Sequence, residues 1–378
     1  VTGRRTVAVV TGSRAEYGLL RPVMRAIREH PDLDLRVVVT GTHLLRPQRT
    51  LDEVAADFEL DAVIPMQREW STGRMADAAA LGRGVSGFTA WLGNRSGGVD
   101  VVAVLGDRIE AFAAASAAAV GGIRVAHLHG GDRAPGIADE GLRHAITKLA
   151  HIHLPATETS ARRITDMGED PARVHVVGSP AIDGLEEVPP LDDEAYEALG
   201  RPEIVFLLHP AGDEAAREQA GAERLLDLCC RAGRVLAMHP NHDPGREGIL
   251  AAITASSVPA REHLPRRDFI GLLRRARVLV GNSSAGLIEC AALGVACVNV
   301  GPRQDGRERP AHVIDAPPPA PGDGGQVEAA IASGLARPPG PAEHPYGDGR
   351  AGGAGARAAR VLAEYDADRH PLTKRNSY

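Results

Sequence analysis

The residues from Val125 to His151, V-A-H-L-H-G-G-D-R-A-P-G-I-A-D-E-G-L-R-H-A-I-T-K-L-A-H, set four histidines, three acids, two arginines and a lysine within 27 positions. Imidazoles and carboxylates in such company can exchange protons with a bound molecule, and guanidinium groups can neutralise a phosphate or carboxylate. Asp139 and Arg143 lie four apart, so on a helix they share one face. A second carboxylate, Asp107 in V-L-G-D-R-I-E, directly follows an apolar run. Asp107 and Asp139 together form a pair available for proton transfer. Such acids beside arginines also occur as plain salt bridges and helix caps, and it is the surrounding histidines that favour catalysis here.

The second half of the chain carries a different chemistry. G-N-S-S-A-G-L-I-E, Gly281 to Glu289, offers two hydroxyls and a run of backbone N–H groups at the start of a helix. That arrangement suits a diphosphate without a metal. Glu289 sits inside the apolar run L-I-E-C-A-A-L, where a carboxylate needs a partner; ribose hydroxyls would provide one. His209 and His239 each end an apolar run and precede proline.

Positioning these groups requires elements that end on one rim. Apolar, β-branched runs at Thr6–Val10, Leu35–Thr40, Val101–Leu105, Val125–Leu128 and Ile152–Ala156 read as strands, each followed by glycine or polar residues and then a helical pattern. The helices are expected near Leu19–Glu29, Thr50–Asp57, Gly73–Leu92, Glu110–Val120, Asp139–Ala150 (capped by Asp139) and Glu158–Met167. Strand, glycine turn and helix in alternation predict a doubly wound α/β domain with ligands at the carboxyl ends of its strands. Arg14, His43, Asp107, Arg108 and the histidines would gather there. The first turn, T-G-S-R-A-E-Y-G, is not G-x-G-x-x-G, so a dinucleotide fingerprint is missing, although Arg14 and the turn amides remain an anion site.

A second α/β pattern repeats the rule. Strands are expected at Ile204–Leu208, Val235–Met238, Val278–Val280 and Val295–Val300, with helices at Glu214–Ala232, Gly248–Ala255, Asp268–Ala276 and from the Asn-Ser-Ser turn to Leu293. Residues 315–325 and 338–356 read as loops, Ala354–Tyr365 as a last helix, and the chain after Asp368 as a frayed end. The expected division is a first Rossmann-like domain over 1–180, a second over 181–365 whose last helix packs back on the first, and a tail over 366–378.

Composition narrows the classes. With 378 residues, 43% of them hydrophobic, the chain is long enough for two cores. A net charge of −6 and 3% aromatic residues argue against nucleic-acid binding. No apolar run approaches the roughly 18 residues of a membrane span, so no membrane partner is expected. Cys229, Cys230, Cys290 and Cys297 show no C-x-x-C spacing and read as buried reduced thiols. With no leader recognised ahead of the first strand, the expected location is cytoplasmic. A zinc site wants three or four converging ligands, and neither a metal nor a cofactor is expected.

In order along nearly the whole chain, T-G-S-R-A-E-Y-G-L-L-R-P, G-T-H-L, L-G-D-R-I-E, H-L-H-G-G-D, D-E-G-L-R-H-A-I-T-K-L-A-H-I-H, G-S-P-A-I-D, L-H-P, H-P-N-H-D-P-G, G-N-S-S-A-G-L-I-E, G-P-R-Q-D-G-R-E and Y-G-D-G resemble the hydrolysing UDP-N-acetylglucosamine 2-epimerases. The resemblance implies two Rossmann-like domains facing across a cleft, as in glycosyltransferase-B proteins, and a homodimer. It implies loss of the carbon-2 proton with departure of UDP, giving a 2-acetamidoglucal. Water then adds, with reprotonation on the other face, releasing an N-acetylmannosamine-type sugar. The residues matching the catalytic set are Asp107, Asp139, Arg143, His209 and His129. The UDP-binding set is Arg14, His43, Arg108, His239, Asn241, Ser283, Ser284, Gly286, Glu289 and Arg303.

Three departures from the family pattern stand out. His129 takes a position that often holds glutamate, Asp132 replaces the glutamate after the paired glycines, and L-L-R-P-Q-R-T lacks the phenylalanine-glycine of the loop after G-T-H-L. The alternatives are an epimerase that re-adds UDP, a glycosyltransferase of the same architecture, and a related 2,4-diacetamido substrate.

Overall fold

The computed structural model describes residues 3–46, 50–71, 73–94, 98–133, 139–241, 243, 245–340, 343–347 and 352–375. The chain divides into two compact units. One comprises Val1–Asp132, Asp139–Asp183 and Arg350–Tyr378; the other comprises Arg133–Ala138 and Gly184–Gly349.

The first unit is built on strands β1 (Arg5–Thr11), β2 (Leu33–Thr40), β3 (Leu60–Ile64), β4 (Val101–Leu105), β5 (Arg124–Leu128) and β6 (Ile152–Leu154). All pair in parallel, in the order β3-β2-β1-β4-β5-β6. The order reverses between β1 and β4, where Val9 stands beside Ala103. The loops leaving these two strands diverge to opposite sides, which opens a crevice at their carboxyl ends. The central strands are buried on both faces because helices cover both, which is why they read as unbroken apolar runs.

The second unit repeats this plan with β7 (Ile204–Leu207), β8 (Val235–Met238), β9 (Ala260–Arg261), β10 (Val278–Gly281), β11 (Ala296–Val300) and β12 (Val313–Ala316). The order β12-β11-β10-β7-β8-β9 puts its own reversal between β7 and β10. Leu208, Leu225, Val280, Val298 and Ile331 are among its core residues. The fold is therefore α/β, with two parallel, doubly wound units.

Strands β3, β9 and β12 were not expected from the sequence. All three are edge strands, paired on one side only, and their residues are mostly half-exposed. Such strands need no continuous apolar run, so Asp61 and Asp315 sit within them. The helix Gly325–Ala336 was also unexpected, and it buries Val327, Ala330 and Ile331 against the second sheet. The first helix begins at Arg14, capped by Ser13, and so absorbs what reads as a turn. The helix expected up to Leu293 is two short ones, Ser284–Leu287 and Glu289–Leu293, meeting at Ile288. Asp139 is the first residue of its helix, not the cap. Cys230 is exposed while Cys229, Cys290 and Cys297 are buried. Adjacent residues of the helix Ala215–Ala232 differ by about 100° around its axis, so only one of the vicinal thiols can face the core.

The final helix, Ala354–Glu364, lies within the first unit, against the helix Arg14–Glu29. A Cβ on Gly355 would come within 2.8 Å of the Pro22 backbone, so a side chain there would force the two helices apart. The Asp183 carboxylate accepts from Ala354 N and Gly355 N at 2.9 and 2.7 Å, which ties the start of this helix down. The described residues beyond it, up to 375, are tied down where a frayed end was expected. The Lys374 ammonium donates to the carbonyls of Lys148 and Ala150 and pairs with buried Glu169. Among the described residues no helix is long and apolar enough to cross a membrane.

Candidate functional site

At the β4 end of the first unit, Gly106 adopts φ +75°, a left-handed turn that suits glycine and lets the chain leave the sheet directly into Asp107. The turn is pinned from β5: Gly106 N–H donates to Leu128 O at 3.0 Å, and His127 Nε2 lies 2.7 Å from Gly106 O. Burial lowers the His127 pKa to about 3, so the ring is neutral and donates that proton to the carbonyl. His127 is thus a structural residue.

The Asp107 carboxylate pairs with the Arg143 guanidinium, brought over by the helix Asp139–Leu149. Arg143 is almost fully buried and also donates to the Asp132 carbonyl at 2.9 Å. His129 leaves β5 at φ +59°, uncommon for a non-glycine residue. Its Nδ1 lies 3.0 Å from Asp132 Oδ2 and its Nε2 lies 3.0 Å from Ser179 Oγ. Asp107, Arg143 and His129 therefore belong to one connected network. The side chain of Asp139, the fourth member expected there, lies outside the described residues.

A second cluster forms at the ends of β1 and β2. His43 is buried between Thr11 Oγ1 at 3.0 Å and Thr50 Oγ1 at 2.5 Å. Burial, with Arg108 and Arg14 nearby, lowers its pKa to about 4, so it meets a ligand as a neutral ring. Arg14 is half-buried and pairs with Glu53 at 3.3 Å. Arg108 reaches the fully buried Glu110 at 3.3 Å, and Glu110 also accepts from Gln67 Nε2 at 2.6 Å. Beside it Glu16 accepts from Gly12 N–H at 2.7 Å. Burial pushes the Glu16 pKa up to about 8 against that bond, and the Glu110 carboxylate adds to the rise. These two acids support the floor of the β1–β4 crevice. Both lie within motifs that carry the resemblance, T-G-S-R-A-E-Y-G and L-G-D-R-I-E, but each stands early in an ordinary amphipathic or alanine-rich helix, and the sequence alone gives neither a role.

In the second unit the reversal between β7 and β10 is clamped by an amide. Asn282 Oδ1 accepts from His209 N–H at 2.7 Å while its Nδ2 donates to His209 O at 2.9 Å. Gly281 is required beside it, since a Cβ there would lie 2.0 Å from Leu207 O. His209 Nδ1 accepts from Asn241 N–H at 3.1 Å, which leaves the ring proton on Nε2. Burial, then Arg303, holds the His209 pKa well below its ordinary value. His209 is consequently a neutral N–H donor and not a proton acceptor through Nδ1. Arg303 donates to Asn282 O at 3.3 Å and approaches Asp243 at 3.5 Å, while Asn241 Nδ2 bonds Asp243 Oδ2 at 2.5 Å.

Ser283 caps the short helix after β10, accepting from Ala285 N–H at 3.3 Å, and Ser284 opens that helix. Gly286 faces β11, where a Cβ would fall 2.3 Å from Cys297 Sγ. Glu289 is buried, and its partner in this structure is Arg266 at 3.2 Å. Arg266, Asn282, Asp243 and Gln304, which donates to Asn282 O at 2.8 Å, were missed by sequence reasoning. Asn282 carried a signal as part of the glycine-asparagine-serine turn, and Asp243 and Gln304 as members of H-P-N-H-D-P-G and G-P-R-Q-D-G-R-E, whereas Arg266 carried none. His239 follows β8, and its backbone N–H donates to Arg261 O at 3.0 Å.

The family profile described as UDP-N-acetylglucosamine 2-epimerase matches residues 25–362. The chain is 36% identical over 323 residues to a UDP-N,N'-diacetylbacillosamine 2-epimerase (hydrolyzing) of Legionella pneumophila, covering 82% of this chain and 85% of that one. It is 31% identical over 325 residues to a UDP-N-acetylglucosamine 2-epimerase of Neisseria meningitidis, covering 82% and 83%. A crystal structure of UDP-GlcNAc 2-epimerase from Neisseria meningitidis bound to UDP-GlcNAc superposes with a TM-score of 0.75 at 18% identity, over 95% of this chain and 98% of that one.

Proposed function

Because the chain belongs to the UDP-N-acetylglucosamine 2-epimerase family and is a UDP-sugar 2-epimerase by that membership, we propose that it is a hydrolysing member acting on a UDP-2-acetamido sugar of the UDP-GlcNAc type. A carboxylate at the β4–β5 rim removes the carbon-2 proton while the carbon 1–oxygen bond to UDP breaks, giving a 2-acetamidoglucal and UDP. Water then adds its oxygen to carbon 1, and a carboxyl returns a proton to the opposite face of carbon 2. The product is a free manno-configured 2-acetamido sugar.

The observation that carries this reading is the Asp107–Arg143 pair, a carboxylate and an almost fully buried guanidinium held together at the end of β4. The carbon-2 hydrogen is weakly acidic, and its removal is helped by a fixed cation near the charge that develops. Asp107 and Asp139 are the acid–base pair, with Arg143 and the neutral Nε2–H of His209 as donors to departing phosphate oxygens. Arg14, His43, Arg108, His239, Asn241, Ser283, Ser284, Gly286, Glu289 and Arg303 form the nucleotide-binding set. Glu289 would exchange Arg266 for ribose hydroxyls or keep both. The hydrolytic outcome is supported by the Legionella pneumophila relative, whose name specifies hydrolysis.

Proton NMR of reactions in heavy water, with UDP-GlcNAc and with UDP-N,N'-diacetylbacillosamine, tests the proposal. The expected result is stoichiometric UDP and free sugar bearing deuterium at carbon 2. A UDP-linked epimer accumulating without release would make the enzyme non-hydrolysing. Absence of UDP release except with an added sugar acceptor would indicate a glycosyltransferase.

A further inference from the structure

At the end of β5 the side chains of Asp132, His129 and Ser179 stand in a line, Oδ2 to Nδ1 at 3.0 Å and Nε2 to Oγ at 3.0 Å. All are buried, with exposures of 5%, 5% and 0%. The second Asp132 oxygen takes the Ser160 hydroxyl at 2.8 Å. The backbone is locked as well: a Cβ on Gly131 would lie 2.2 Å from Ser160 O, and one on Gly130 would lie 2.8 Å from His127 Nδ1. His129 itself holds a left-handed φ, a conformation that persists only where the surroundings over-determine it.

These bonds assign the ring. A carboxylate only accepts, so Nδ1 carries a proton toward Asp132; in the neutral ring Nε2 then accepts from the Ser179 hydroxyl, and in the charged ring it donates to Ser179 Oγ. A base for the carbon-2 proton must present a free lone pair to the substrate, and both His129 nitrogens already face protein. The same aspartate is linked to Asp107 through its main chain, since its carbonyl takes Arg143 Nη1 at 2.9 Å while Arg143 Nη2 pairs with Asp107.

We propose that Asp132, Ser179 and Ser160 are positioning residues that hold His129 as a strut, and that His129 fixes the Arg143–Asp107 pair instead of exchanging protons with the sugar. The inference deepens the proposed epimerase reading and rests on it for its kinetic consequences. It also gives His129 a role different from the catalytic one that the resemblance implies. The departures at 129 and 132 then belong together: an imidazole spans the distance to Ser179, and the shorter aspartate leaves room for the ring.

The test is a series of variants chosen so that hydrogen bonding and titration separate. A glutamine amide supplies one donor and one acceptor but no titrating nitrogen. His129→Gln should therefore keep kcat within about tenfold, with both limbs of the pH–rate profile in place. His129→Ala should lower kcat by about 100-fold with KM little changed, the loss expected from misplacing reacting groups by about 1 Å. Ser179→Ala and Asp132→Asn should lower kcat in the same manner, without moving the pH limbs. If His129→Gln is as inactive as His129→Ala and loses one limb, His129 is a proton carrier and the proposal is wrong. Nitrogen NMR of the histidine-labelled full chain provides a readout that needs no turnover. In its neutral ring His129 should show a protonated Nδ1 and an unprotonated Nε2 in the parent, and this preference should weaken in Asp132→Asn. A parent spectrum with Nε2 protonated and Nδ1 bare overturns the strut, even if every UDP-sugar assay fails. Kinetic failure of the parent with a correct spectrum would instead overturn only the substrate reading.

Discussion

Replacing Asp107 with asparagine keeps the shape of the side chain and removes its charge, which makes it the most direct perturbation of the proposed chemistry. The structural consequence follows from burial: the Asp107 side chain is 19% exposed and its partner Arg143 only 3%. Breaking a fully buried ion pair costs about 3–5 kcal/mol, because one charge is left unpaired. Here Asp107 is partly wetted, and Arg143 keeps the Asp132 carbonyl at 2.9 Å and Glu140 at 3.6 Å. The expected loss is therefore smaller, about 1–3 kcal/mol. For a unit of this size that corresponds to a fall in Tm of roughly 2–12 °C. The catalytic consequence is larger. Loss of a positioned acid–base group lowers turnover by about 10²–10⁴, roughly 3–5 kcal/mol of barrier. UDP affinity should change by less than about threefold, since the nucleotide set excludes Asp107. Coupled measurement of UDP release, UDP binding by calorimetry and thermal melting separates these effects. A variant that melts early yet turns over within tenfold of the parent, well below its Tm, would refute the catalytic assignment and leave Asp107 as a salt bridge.

Three further outcomes are expected. Glu16, with its pKa raised to about 8 from an ordinary 4.5, binds a proton in the fold that the unfolded chain has lost, so stability falls as pH rises from about 4.5 to 8. Glu16→Gln should flatten this dependence, and urea unfolding at pH 5 and pH 8 that shows parallel curves for both proteins would contradict it. Glu169 behaves in the opposite sense. Burial opposes its charge, but bonds from His153, Lys148 and Lys374 prevail and hold its pKa near 2. Its stabilisation, up to about 3 kcal/mol, is complete above about pH 4.5 and lost as pH falls through 2. Glu169→Gln should therefore be clearly less stable at pH 7 and close to the parent near pH 2; an unchanged difference would be the contrary result. Gly286→Ala should destabilise by about 1–3 kcal/mol through overlap with Cys297 Sγ. Cys297→Ala in the same chain should recover part of that loss in denaturant melts, and no recovery would locate the strain elsewhere.

The central strands were legible because burial on both faces demands continuous apolar runs, as in Val101–Leu105 and Val235–Met238. Edge strands such as Leu60–Ile64 were not, since half-exposed positions tolerate Asp61. The site followed a similar division. Asp107, His129, His209 and Ser283 announced themselves by standing at strand ends among glycines, where side chains have little structural reason to be polar, and Arg143 by its four-residue spacing from Asp139 on a helix. Glu16, Glu110, Ser179 and Arg266 did not. None was assigned a role from the sequence, although Glu16, Glu110 and Ser179 stand within quoted motifs, and each gains meaning only from a partner on another segment: Glu16 beside Glu110, Ser179 against His129, Arg266 against Glu289.

What the sequence determined alone is which groups stand at the carboxyl ends of the strands, because the alternation of apolar run, glycine turn and helix fixes strand polarity and delivers those residues to one rim. What only the tertiary structure decided is the state in which each group is held. Protonation, tautomer and partner depend on burial and on contacts between segments far apart in the chain, such as Ser179 with His129 and Lys374 with Glu169. A one-dimensional pattern carries the periodicity that packing demands, but not the pairing of polar atoms that packing brings within 3 Å.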